Sequence, residues 1–167
     1  MLKLQLNLIN YLNILYRISI MGVVQSKQNI SRKINFEDMQ WGSNSNTNLI
    51  ISTLSEDKQG CLIKGTILYN TESEIINNYL QKDTTIRIII YGENASDDTI
   101  IKKYDQLVAL GFTNVYVYPG GLFEWLLLQD IYGEEMFKTI GTEPDILKYK
   151  GSRKMGVLML EDTISSQ

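Results

Sequence analysis

Three carboxylates fall within the seven-residue stretch Gly92-Glu93-Asn94-Ala95-Ser96-Asp97-Asp98. With Ser96 they offer hard oxygen donors of the kind that hold Mg²⁺ or Ca²⁺, but their spacing fits no EF-hand loop. The only thiol is Cys61. A cysteine becomes nucleophilic when neighbours lower its pKa. Its flanks, Gly60 and Leu62, carry no charge, and Lys58 and Lys64 would help only if the loop turned them inward, so a half-exposed, inert cysteine is expected. The sequence has no histidine, which removes Ser-His-Asp and Cys-His catalysis, His general bases and His-ligated zinc. One cysteine also removes intramolecular disulfides and multi-cysteine metal sites. No cofactor and no resident metal are called for. Gly120-Gly121 lacks the Lys-Ser/Thr of a phosphate-binding P-loop and reads as a tight turn that lets a helix approach the sheet.

A different kind of chemistry is written at Met21-Gly22-Val23-Val24-Gln25-Ser26. The pattern M-G-x-x-x-[ST] is that of N-myristoylation, with Gly22 as acceptor, and it works only on a chain begun at Met21. Lys27, Arg32 and Lys33 follow closely and would supply the second, electrostatic signal that one acyl chain needs for stable membrane attachment. The preceding stretch, residues 2–20, is apolar-rich but broken by Lys3, Gln5, Asn7, Asn10, Asn13 and Arg17. It fits neither a spanning helix nor a secretory signal. Residues 1–33 are therefore expected to be an extension outside the domain, disordered or upstream of a true start at Met21.

The elements that must position these groups can be read from periodicity. Asn35 caps a short helix over 36–41, with Asp38 at the third position and Ile34 and Met39 as a hydrophobic staple. Leu49 to Thr53 is a buried strand, and a second short strand is expected near Gly65 to Tyr69. Thr71-x-x-Glu74 reads as a capping box, and the helix behind it places Ile75, Ile76, Tyr79 and Leu80 on one face. IRIIIY, residues 86–91, is β-branched and nearly continuous, which suits a central strand covered on both faces. The loop 92–98 ends in a helix cap at Asp98, aided by Asp97. Ile100, Ile101, Tyr104, Leu107 and Val108 then recur at helical spacing, with Gly111 as C-terminal cap. Val115 to Tyr118 is a strand. Leu122 to Ile131 is an apolar-rich helix closed by Gly133, in which Phe123, Trp125 and Leu126 to Leu128 are mostly core and some must face outward. Such alternation specifies an α/β domain with a mainly parallel central sheet and helices on both faces. The domain is expected over 34–133, followed by a tail, 134–167, whose Lys148, Lys150, Arg153 and Lys154 read as solvated.

The chain has 167 residues, about one domain. Its 16 basic and 19 acidic residues give a net charge of −3 and a pI near 5.0. That balance argues against a nucleic-acid partner, whose binding proteins are usually basic. Sparse cysteine fits a reducing compartment, so the expected location is cytoplasmic, peripheral on a membrane if Gly22 is acylated.

The order strand IIIYG (88–92), loop, helix, LVALGFTNVYVYPGG (107–121) and Trp125, with LIIS (49–52) and LIKGTI (62–67) before it, resembles the rhodanese-like domain family. It is most similar to single-domain members of protists or large DNA viruses. The resemblance implies a rhodanese-like fold and a sulfur-transfer ancestry, in which a cysteine directly after the central strand becomes a persulfide. In this sequence that slot is Gly92, and residues 92–98 contain no cysteine. The family's usual Asp and Arg near the first strand are replaced by Ile51-Ser52-Thr53-Leu54. Cys61 falls at a glycine position of the family, before LIKGT, and not at the nucleophile.

A persulfide needs a thiolate, and the loop carboxylates would repel an anionic sulfur donor. The sequence is therefore read as a catalytically inactive rhodanese-like binding or regulatory module, serving an unknown protein partner and tethered to a membrane through Gly22. Two alternatives stay open: a thiosulfate-type sulfurtransferase using Cys61 or an atypical site, and a metal-dependent enzyme using the acidic loop.

Overall fold

The computed structural model describes residues 32–155. Met21, Gly22 and the myristoylation pattern lie outside the described residues. Among the described residues there are four α-helices, α1 (Phe36–Ser43), α2 (Tyr69–Lys82), α3 (Thr99–Leu110) and α4 (Gly121–Tyr132), and five strands. The strands are β1 (Asn48–Ser52), β2 (Leu62–Ile63), β3 (Arg87–Tyr91), β4 (Val115–Tyr118) and β5 (Thr139–Ile140).

Strands β1, β3 and β4 form one parallel sheet in the order β1-β3-β4, in the registers Ile50↔Ile89 and Ile89↔Tyr116. The run read as central is central: Ile88, Ile89, Ile90 and Tyr91 are all buried. Alternation along each strand sends side chains to two separate cores. Ile50, Ile89, Tyr91 and Tyr118 join Met39, Trp125, Leu126 and Phe137 under α1 and α4. Leu49, Ile51, Ile88, Ile90, Val115 and Val117 join Ile76, Ile100, Leu107 and Phe112 under α2 and α3. The helices thus cover both faces. A single bridge to Thr66 extends the sheet beyond β1, and one to Lys33 extends it beyond β4.

Local rules explain most of the boundaries. The Asn35 side chain accepts from the Asp38 amide at 3.0 Å and Asp38 accepts from the Asn35 amide at 3.3 Å, a reciprocal cap that starts α1. Gly111 ends α3 in the left-handed region, at φ 107°.

Several expectations need correction. The second strand is β2, at 62–63, and not near Gly65 to Tyr69. Gly65 turns the chain at φ 85°, so only Thr66 and Ile67 touch β1 before α2 begins. The Thr71-x-x-Glu74 box does not form, because α2 starts earlier, after Leu68. Thr71 instead donates its hydroxyl back to the Leu68 carbonyl at 3.0 Å. Val108 is exposed and lies off the apolar face of α3. The tail is folded as far as residue 150: β5 pairs antiparallel with β2, and Phe137 and Tyr149 are fully buried in the α1/α4 core. Isolated tail residues gave no periodic signal, since Phe137 and Tyr149 are single anchors in an irregular segment.

Candidate functional site

The loop 92–98 leaves the carboxyl edge of β3 and leads into α3, the position where open parallel sheets bind ligands. Its backbone is held from two sides. On one side the N-terminus of α4 donates to it: the Leu122 amide to the Gly92 carbonyl and the Phe123 amide to the Glu93 carbonyl, both at 2.9 Å. The approach requires Gly121, at φ 64°, because a β-carbon there would come within 2.6 Å of the Gly92 oxygen and 2.7 Å of the Asn94 nitrogen. The Gly120-Gly121 pair is therefore the tight helix–sheet contact read from the sequence.

On the other side the loop closes on its own carboxylate. Asp97 Oδ2 accepts from the Glu93 amide at 3.0 Å. Asp97 Oδ1 accepts from the Thr99 amide at 2.9 Å and from the Thr99 hydroxyl at 2.6 Å. Asp98 occupies the cap position of α3 but makes no side-chain cap bond, so the capping is done by Asp97. A strand, a loop and a helix N-terminus make an anion cradle. Here an internal carboxylate occupies two of its amides, those of Glu93 and Thr99. The side chain lies where a substituent on Gly92 would go: a β-carbon at Gly92 would clash with the Asp97 carboxylate and sit 2.9 Å from Ile100 Cγ2.

Glu93 and Asn94 are also engaged. Glu93 Oε1 accepts from Lys58 Nζ at 2.7 Å. Asn94 Oδ1 accepts from the Ser96 amide at 3.0 Å, and Asn94 Nδ2 donates to the Tyr149 carbonyl at 2.8 Å. Ala95 contributes no polar side chain. Among the described residues no three of Cys, Asp and Glu converge as metal ligands, since Glu93 turns to Lys58 while Asp97 turns into the loop.

Cys61 is buried, not half-exposed as expected, and its thiol lies 3.8 Å from the Gly141 carbonyl. Burial pushes the thiol pKa up, against a smaller opposing bond from Thr139. Lys58 is committed to Glu93, and Lys64 reaches Asn44 at 3.4 Å, so neither lysine turns toward the sulfur as an activator. Raised pKa and burial are the opposite of what a nucleophile needs.

Tyr91, the residue before the loop, is locked in the core. Its hydroxyl accepts from the Ile63 amide at 3.1 Å and meets Thr66 Oγ1 at 2.9 Å. Burial pushes its pKa up to about 12. An unfolded tyrosine ionises near 10, so the native state keeps the proton when the unfolded chain has lost it. Tyr91's contribution is expected to be complete below pH ~10 and to fall by about 2 kcal/mol as pH rises to ~12, with Tyr118 and Tyr149, also raised by burial, adding losses of the same sign. Urea unfolding followed across that window checks this, and Tyr91→Phe should flatten the slope.

The four cations of the C-terminal segment are exposed, as expected, and two of them stand beside the loop. Lys150, Ser152 and Lys154 line an open cleft of about 240 Å³ with Glu93, Asn94, Ser96 and Asp97. The basic tail therefore lies beside the acidic loop. Nothing in sequence spacing announces that meeting, because residues 55 apart are joined through the Asn94–Tyr149 bond.

Comparison with known proteins agrees with this fold. The family model for the rhodanese-like domain matches residues 37–128, and the chain belongs to that family. Among solved structures it is similar to a full-length Lactobacillus plantarum protein, at 13% identity and TM-score 0.52, covering 76% of this chain and 98% of that one. It is similar to a Bacillus halodurans protein at 16% identity and TM-score 0.51, covering 78% and 86%. A rhodanese-like domain of an Anabaena protein aligns at 18% identity and TM-score 0.47, covering 77% and 92%. No curated protein matches the sequence. Among the described residues no helix is long and apolar enough to cross a membrane.

Proposed function

We propose that this chain is a catalytically inactive rhodanese-like binding or regulatory module, tethered to a membrane by a myristoyl group on Gly22. One observation carries the first part. The slot after β3 is Gly92, and the Asp97 carboxylate accepts from the Glu93 and Thr99 amides at 3.0 and 2.9 Å, two of the donors of the cradle. The loop offers no thiolate, and a carboxylate already sits among its amides. The buried, proton-holding Cys61 supports the same reading. Purified protein is expected to show no thiosulfate:cyanide sulfurtransferase turnover above a protein-free blank. Turnover that Cys61→Ser abolishes would overturn the reading in favour of a sulfurtransferase.

The lipid part rests on the pattern at Gly22 to Ser26 and the cations after it. A chain begun at Met21 and co-expressed with an N-myristoyltransferase is expected to gain one myristoyl group by intact mass, lost in Gly22→Ala. Peptides from residues 5–17 recovered from cells would show the upstream start in use, which leaves Gly22 internal and defeats the tether.

A further inference from the structure

We infer that the C-terminal segment, residues 146–155, is a docking surface for an anionic lipid membrane. These ten residues, ILKYKGSRKM, hold four cations and no carboxylate in a chain whose net charge is −3. Lys148, Lys150, Arg153 and Lys154 are all exposed. Glu143 neutralises Lys148 at 2.8 Å; among the described residues the other three make no salt bridge. The segment is pinned to the domain rather than hanging from it. Tyr149 is fully buried, its carbonyl is held by Asn94 at 2.8 Å, and the cations project on either side of that anchor.

Two aliphatic side chains bracket the cations: Leu147 is 58% and Met155 84% exposed. Cations interleaved with exposed apolar side chains match a lipid surface, which takes charge at the headgroups and aliphatic groups beneath them. A nucleic acid would use the cations and leave Leu147 and Met155 in water. Lys150 and Lys154 share one cleft with Glu93 and Asp97, whose carboxylates offset part of their charge.

This surface extends the membrane reading above, and its test omits the lipid so that the two can fail separately. Full-length chain without acylation is mixed with phosphatidylcholine vesicles, with or without about 30% phosphatidylserine, and sedimented. Pelleting is expected with the anionic vesicles alone and is expected to be lost at about 0.5 M salt. Each cation near such a surface contributes a factor of roughly five in partitioning. The variant K150E/R153E/K154E should therefore lose binding by roughly a hundredfold or more, while keeping its circular dichroism spectrum and thermal midpoint, since all three positions are exposed. L147S/M155S should weaken binding and leave its salt dependence in place. Equal pelleting with neutral vesicles, binding that survives the triple charge reversal, or retention on single-stranded RNA without binding to vesicles would each overturn the inference. Failure of Gly22→Ala to alter partitioning of the acylated chain would instead count against the tether alone.

Discussion

Trp125→Ala should destabilise this domain by about 3–5 kcal/mol, lowering its thermal midpoint by about 10 °C or more. The indole is fully buried on α4 and packs edge-on against two rings, Phe137 at 5.0 Å and Tyr118 at 6.4 Å. Removing it leaves a cavity between the sheet, α4 and the C-terminal segment at once, so the packing of that segment should loosen with the core. Trp125→Phe should cost well under half as much. It keeps an aromatic partner for Phe137, and the indole N–H that it deletes has no partner among the described residues. Chemical denaturation of the three proteins decides the matter; equal losses for the two variants would mean that the aromatic contacts carry little of the stability.

A second large effect is expected where the family places its nucleophile. Gly92→Cys alone should give no sulfurtransferase activity and a less stable protein. The new β-carbon collides with the Asp97 carboxylate and crowds Ile100, an overpacking cost of about 1–3 kcal/mol. The thiol would also face the Asp97 carboxylate, which raises its pKa and repels an anionic donor. The double variant Gly92→Cys, Asp97→Ala frees the amides of Glu93 and Thr99, which Asp97 now occupies. Its thiol pKa, read from the pH dependence of reaction with a disulfide reagent, should fall by about one unit or more relative to the single variant. Identical thiol pKa values would mean that Asp97 is not what fills the cradle.

The parts of this molecule that were legible in its sequence are those governed by local rules. The β-branched run 86–91 is a central strand because continuous Ile side chains need cover on both faces, and two cores provide it. Asn35 and Gly111 cap helices where their chemistry requires. The absence of a thiol from 92–98 was equally plain. Illegible were the features that depend on contacts across the chain. Thr71-x-x-Glu74 has the letters of a capping box, but packing of Ile76 and contact of Ile67 with β1 start α2 three residues earlier. Asp98 holds the cap position, yet it is Asp97 that reaches both the Glu93 and Thr99 amides. Lys58 reaches the loop from the turn before β2, while Tyr149, Lys150 and Lys154 reach it because β5 folds the C-terminal segment back onto β2. Composition rules treat such residues as solvated, and a single buried tyrosine has no period by which to be noticed.

The central claim is that this rhodanese-like chain holds no transferable sulfur, and intact mass reports on it most directly. Full-length protein is incubated with excess thiosulfate, desalted and weighed before and after treatment with cyanide. One unchanged mass is expected throughout, because Gly92 presents no thiol and Cys61 is buried with its thiol pKa raised. A mass increase of one sulfur atom, removed by cyanide and absent from Cys61→Ser, would contradict it.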